Sequence, residues 1–141
     1  MDANAIFIDT NVLVYASVDA APLHNVALQT LAEYEAQLMP LWISRQILRE
    51  YLATLARPSV NIPLAQLTAA VRAFETRYRV AEDSAAVTTQ LLKFVEQGQS
   101  YHIHDTNIVA TMLVYGISQL LTHNVKDFEP FQNLITVIAL K

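Results

Sequence analysis

Short apolar runs and longer stretches of helical period alternate along the chain. Ala5-Ile6-Phe7-Ile8 is apolar without a break and ends at Asp9. Such a run reads as a strand covered on both faces. Helical spacing follows over residues 10–16 and again over 23–38, where Leu28, Leu31, Tyr34 and Leu38 recur about a turn apart and Pro22 stands at the start. Leu41-Trp42-Ile43 is a second short strand. Ser44 then suits the N-cap of a helix running to about residue 56, with Ile47, Leu48, Tyr51, Leu52 and Leu55 inward and Pro58 beyond its end. Pro63 opens a helix over 63–78, residues 79–81 form a brief strand, and a helix over 84–95 is closed by Gly98. Asp105 starts a helix over 105–115 that Gly116 stops. Gln119-Leu120-Leu121-Thr122 is a strand, followed by a loop holding Asn124, Asp127 and Phe128, and the last strand spans 135–140.

No linker, repeat or low-complexity tract interrupts this pattern, so residues 1–141 are expected to form one domain. Strands alternating with helices predict an α/β fold around a mainly parallel sheet. Ligands of such sheets bind beyond the carboxyl ends of the strands.

Composition narrows the chemistry. The chain has no cysteine, which excludes disulfide scaffolds, thiolate zinc sites and cysteine nucleophiles. Glycine occurs only at 98 and 116, which excludes the P-loop, the dinucleotide fingerprint and the Gly-x-Ser-x-Gly elbow. The four histidines form no His-Glu-x-x-His pattern and read as surface or helix-start residues. Asp and Glu number 13 against 9 Lys and Arg, giving a net charge of -4, so the protein does not coat nucleic acid by bulk charge. The start, Met1-Asp2-Ala3-Asn4, lacks the basic segment of a secretory signal, and the apolar runs fall short of the roughly 20 residues that span a bilayer. A soluble cytoplasmic protein without membrane contact is the expectation.

Carboxylates are therefore the candidate chemistry. Asp9 follows one strand directly and opens a helix, so both a capping role and an active-site role are open to it. Asp105 repeats the arrangement, and each of the two is followed by Thr and Asn. Glu50 lies within its helix beside the apolar stripe, where no cap is needed; pairing with Arg49 or Thr54 is its ordinary structural reading. Asp127 follows a strand within Leu121-Thr122-His123-Asn124-Val125-Lys126-Asp127-Phe128. Four such acids brought together repel one another unless a hard divalent cation such as Mg²⁺ or Mn²⁺ is bound among them. That combination suits phosphodiester hydrolysis. Removing the four from the 13 acids leaves nine, matching the nine bases. Arg45 and Arg49, one helical turn apart beside Glu50, are the candidates for gripping phosphate.

The sequence resembles PIN-domain proteins, most closely the VapC-type toxins of toxin–antitoxin pairs. The resemblance lies in four segments in order: Ile6-Phe7-Ile8-Asp9-Thr10-Asn11-Val12-Leu13-Val14-Tyr15, Ser44 through Leu52 with Glu50, His104-Asp105-Thr106-Asn107-Ile108-Val109-Ala110-Thr111, and the segment from Leu121 to Phe128. It implies a three-layer α/β/α sandwich and a Mg²⁺- or Mn²⁺-dependent endoribonuclease. Asp9, Glu50 and Asp105 match the family's acidic triad, while Thr10, Asn11 and Thr122 match positions that orient acids or water. Many relatives carry acids at the positions of both Asn124 and Asp127; here only Asp127 is acidic, which implies either a single cation or a second one recruited with substrate. The resemblance further implies an RNA substrate, a VapB-like antitoxin and a homodimer, with aromatic residues such as Trp42, Tyr51, Phe74 and Tyr78 divided between core and partner surfaces.

Two other readings stand beside it. A phosphoaspartate-type phosphohydrolase also places an acid after its first strand, but the second acid it needs two residues later is Asn11 here. A receiver-type domain needs a late lysine that Lys93 and Lys126 fit poorly. A non-catalytic module binding RNA or protein is the third reading.

Overall fold

The structure, a computed structural model, describes residues 3–98 and 102–141. Met1 and Asp2 of the amino-terminal segment lie outside the described residues. Among those described, five strands form one sheet: β1 (Ile6–Ile8), β2 (Leu41–Ser44), β3 (Arg79–Ala81), β4 (Gln119–Thr122) and β5 (Thr136–Ala139). Their order is β3-β2-β1-β4-β5, and every pairing is parallel. β1 is central, and its three side chains are fully buried. That explains the unbroken apolar run: both faces of this strand are covered, so no position alternates to water.

The chain steps from β1 through β2 to β3 on one side, then returns to place β4 and β5 on the other. Parallel crossovers are right-handed, so reversing direction moves the connecting helices to the opposite face. α1 (Thr10–Ser17), α2 (His24–Ala36), α3 (Arg45–Leu55) and α4 (Leu64–Arg77) accordingly form one layer; α1 packs on α2 and α3, and α3 on α4. α5 (Ala85–Glu96) and α6 (Ile103–Tyr115) pack together as the other. The result is the expected three-layer α/β/α sandwich. The reversal falls between β1 and β4, and their carboxyl ends are the place where such folds open a crevice.

Register sets what lies at that opening. Ile8 pairs with Leu121, so Asp9 and Thr122 leave the sheet level with each other. The Asp9 N–H donates to the Leu121 carbonyl at 3.0 Å, extending the pairing one residue past the strand.

Helix starts follow the sequence where a side chain caps them. Ser44 Oγ accepts from the Ile47 N–H at 3.2 Å, and Ser84 Oγ from the Val87 N–H at 3.3 Å; each cap is worth about 1 kcal/mol. Gly116 ends α6 in the left-handed region at φ 72°, as a glycine readily does.

Elsewhere the structure departs from expectation. α6 begins two residues early, at Ile103, so Asp105 sits inside the first turn and does not cap it. α2 ends at Ala36; Leu38 turns out of the helix at φ 57° and is 88% exposed. Leu28 also faces outward, and the fully buried side of α2 is carried by Ala27 and Leu31. The expected loop after β4 is a 3-10 helix, Val125–Phe131, pinned by the buried Phe128 and Phe131. No helix among the described residues is long and apolar enough to cross a membrane.

Candidate active site

At the carboxyl ends of β1 and β4 lies a crevice of about 440 Å³ lined by side chains that include Asp9, Thr10, Asn11, Glu50, Asp105 and Asn124. Three separate elements supply its acids. Asp9 comes from the end of β1, Glu50 from within α3, and Asp105 from the first turn of α6.

Asp9 is held from several directions. Its Oδ1 accepts from the Thr10 N–H at 2.8 Å, so the residue does cap α1. Its Oδ2 accepts from the Thr122 hydroxyl at 2.8 Å and from the Asn11 amide at 3.2 Å. Thr122 Oγ1 in turn accepts from Asn11 Nδ2 and from the Asn124 N–H. Asn11 Oδ1 takes the His123 N–H at 3.0 Å. Capping and site roles therefore coincide in one side chain, and the network fixes the rotamer of Asp9 before any ligand arrives.

Glu50 is gripped by both oxygens. The Thr10 hydroxyl donates to Oε1 at 2.8 Å, and Gln46 Nε2 donates to Oε2 at 3.0 Å. Arg49 is not its partner. Gln46 reaches further: its Nε2 also donates to the His104 carbonyl at 2.8 Å, and its Oε1 accepts from Asn107 Nδ2 at 2.8 Å. A carboxylate and a carbonyl only accept, so the orientation of this buried amide is unambiguous. Gln46 thereby ties α3 to the first turn of α6, the turn that carries Asp105, across the edge of the sheet. Sequence reasoning did not select Gln46 or Asn107. The only available signal was Gln46 lying one turn before Glu50; its partners come from the opposite layer.

Burial raises the proton affinity of Asp9 and Asp105, and neighbouring acids add to it. Burial pushes the Asp9 carboxyl from its ordinary 3.8 up to about 6; the hydrogen bonds from Thr122 and Thr10 pull it back, while the charges of Asp105 and Glu50 push it higher. Asp105 is also raised, first by burial and then by the charge of Asp127, with Glu50 adding to the rise and His102 and His104 opposing it. Asp127 is exposed on the 3-10 helix and stands outside the crevice lining, although its charge reaches Asp105.

Arg45 and Arg49 face away from this cluster. Arg45 Nε and Nη2 donate to Glu82, Nη1 pairs with Glu75, and Arg49 pairs with Asp83 at 2.9 Å. Among the described residues, none that lines the crevice is a Lys or Arg. Among the described residues, no three Asp, Glu or His side chains are gathered closely enough to hold a metal ion by themselves. The donor set still suits a hard cation. Mg²⁺ keeps several waters and needs only one or two carboxylates, and the mutual repulsion of Asp9, Glu50 and Asp105 is what a cation relieves.

A family model described as PIN domain matches residues 6–130. No curated protein matches the sequence. Among solved structures, the chain is similar to VapBC2 from Rickettsia felis bound to a DNA fragment from its promoter, with 21% identity and a TM-score of 0.69 over 97% of this chain and 99% of that one. It is also similar to VapC20 from Mycobacterium tuberculosis, a sarcin-ricin loop cleaving toxin, with 21% identity and a TM-score of 0.66 over 82% and 86% of the two chains. A DNA-bound VapBC from Salmonella typhimurium gives a TM-score of 0.71 at 15% identity, covering 97% and 98%. At these identities the likeness is one of fold.

Proposed function

This chain belongs to the PIN-domain family, and we propose that it is a metal-dependent endoribonuclease, the toxin of a toxin–antitoxin pair. One observation carries the reading. Acids from three distant segments, Asp9, Glu50 and Asp105, line a single crevice at the switch point of the sheet, with no Lys or Arg among the described lining residues. Structural ion pairs are built with partners; these acids are built without them, in a place where burial makes their shared charge costly.

The residues divide the work. Asp9, Glu50 and Asp105 would hold Mg²⁺ or Mn²⁺ directly or through water, with Asp127 at the rim. A cation bound there would neutralise the phosphoryl group and acidify the attacking water. Thr10, Asn11 and Thr122 keep Asp9 and Glu50 aimed, and Asn124 lines the wall beside them. Asp9 and Glu50 already accept hydrogen bonds on both oxygens. Asp105, from the opposite wall of the crevice, would accept the proton of the attacking water. The same saturation of Asp9 suits an orienting ligand better than a phosphate-accepting nucleophile, which disfavours the phosphoaspartate reading. Arg45 and Arg49 would have to leave Glu75, Glu82 and Asp83 to reach a phosphate.

The fold neighbours include VapBC complexes, which supports a VapB-like antitoxin as partner; the working unit we propose is a homodimer. Purified protein should cleave RNA in Mg²⁺ or Mn²⁺ and stop in excess EDTA. Asp9→Asn should lower the rate by about 10³-fold or more, in keeping with loss of metal-assisted chemistry. Undiminished cleavage in EDTA would falsify the reading.

A further inference from the structure

Among the described residues, the crevice has one aromatic side in a lining otherwise made of acids and smaller residues. That aromatic is Tyr15. The His123 ring stands beside it, with centroids 5.6 Å apart and planes at 76°. Tyr15 is half-buried and His123 exposed, so this corner meets solvent at the mouth of the crevice.

The backbone that carries both rings is tied to the network that holds Asp9. Asn11 donates to Asp9 Oδ2 and accepts the His123 N–H. Tyr15 lies one helical turn beyond Asn11 on α1, and its carbonyl accepts from the His24 ring at 2.8 Å. His123 directly follows Thr122, whose hydroxyl holds Asp9. The two rings are thus anchored beside Asp9 through their backbone, and they contact each other edge to face.

Charge points the same way. Among the described residues no Lys or Arg lines the crevice, and the nearby Arg45 and Arg49 are occupied by carboxylates. Phosphate attraction is the usual source of affinity for nucleic acid. Where side chains supply so little of it, a bound cation would hold the reacting phosphate, and stacking of unpaired bases on aromatic faces is the further contact that works on single strands. We propose that Tyr15 and His123 form a nucleobase subsite that seats an unpaired base of a single-stranded RNA next to the bond being cut. The base lies flat on one ring with its edge against the other. This rests on the ribonuclease reading above and adds to it two specificity-determining residues, Tyr15 and His123, for one base beside the scissile bond.

The test uses the full-length protein and a short single-stranded RNA, with an abasic nucleotide moved one position at a time along it. Tyr15→Leu and His123→Ala should each raise KM by about 5- to 100-fold, as loss of one stacked base does, with a smaller effect on kcat. Tyr15→Phe, which keeps the ring, should stay within about threefold of wild type and guards against misfolding of the leucine variant. One abasic position adjacent to the scissile bond should cause the same loss in wild type and no further loss in Tyr15→Leu. Equal KM in wild type, Tyr15→Leu and His123→Ala, or fully additive losses at every abasic position, overturns the subsite and leaves the nuclease reading standing. A wild-type protein that neither binds nor cuts RNA overturns both.

Discussion

Helix α3 separates two groups of acids that the fold treats in opposite ways. On one flank Glu75, Glu82 and Asp83 surround Arg45 and Arg49, and every acid there has a cation. These pairs are substantially exposed, so the arrangement contributes little to stability. On the other flank Glu50 joins Asp9 and Asp105 in the crevice, where the partners are neutral donors and the burden is shared repulsion. The sequence supplies arginines one and five positions from Glu50, yet none reaches it. Successive helical residues are turned by about 100°, so adjacency in sequence places them on different faces. On the function proposed above, the buried charges left without counterions are the ones that carry the chemistry.

That contrast can be broken most forcefully at its bridge. Gln46→Leu removes the donor to Glu50 and the tie to α6 while keeping the volume. Cleavage should fall by about 10- to 100-fold, the usual loss when a residue supporting a metal ligand is changed. Calorimetric titration with Mn²⁺ should show weaker binding as well. Wild-type rates and Mn²⁺ affinity in this variant would leave Gln46 a packing residue.

The next effect concerns stability. Asp9 binds its proton more tightly folded than unfolded, so its contribution falls as pH rises from about 4 to about 6 and stays low above that. The cost at neutral pH is about 3 kcal/mol in metal-free buffer, since a tenfold rise in proton affinity corresponds to about 1.4 kcal/mol. Asp9→Asn should therefore melt several degrees above wild type at pH 7 without metal, and the gap should close toward pH 4. Thermal melts at the two pH values decide it; a gap independent of pH would mean that ionisation of the buried Asp9 carboxyl is not its cause. Divalent cation should narrow the gap from the other side by stabilising wild type alone.

The smallest effect belongs to the opposite flank. Arg45→Ala should shift Tm by no more than about 2 °C and leave KM for RNA within about twofold, because exposed ion pairs contribute little. A large rise in KM, growing steeper with salt, would instead show that Arg45 leaves its carboxylates to hold phosphate.

The legible parts of this molecule are those whose causes are local. β1 and Asp9 could be read because a buried run, an acid and a helix start are consecutive. Ser44 announced α3 through its own capping bond. The start of α6 was misplaced because its N-cap, His102, makes no side-chain capping bond, so Asp105 looked like the first punctuation. The left-handed turn at Leu38 was hidden because leucine rarely adopts it. Gln46 and Asn107 were invisible for a different reason. Their importance comes from partners 58 and 61 residues away on the other layer, brought near only by the topology of the sheet.

The bond between Thr122 and Asp9 spans 113 residues. During synthesis β1 is made first and must wait for β4, so the crevice closes only once the chain has been made through Thr122. Non-local closure of this kind is slow compared with helix formation. The fold thus carries its own delay: helices can form on a nascent chain before the acids of the crevice are brought together. On the function proposed above, that delay is an interval in which a binding partner can arrive before the activity does.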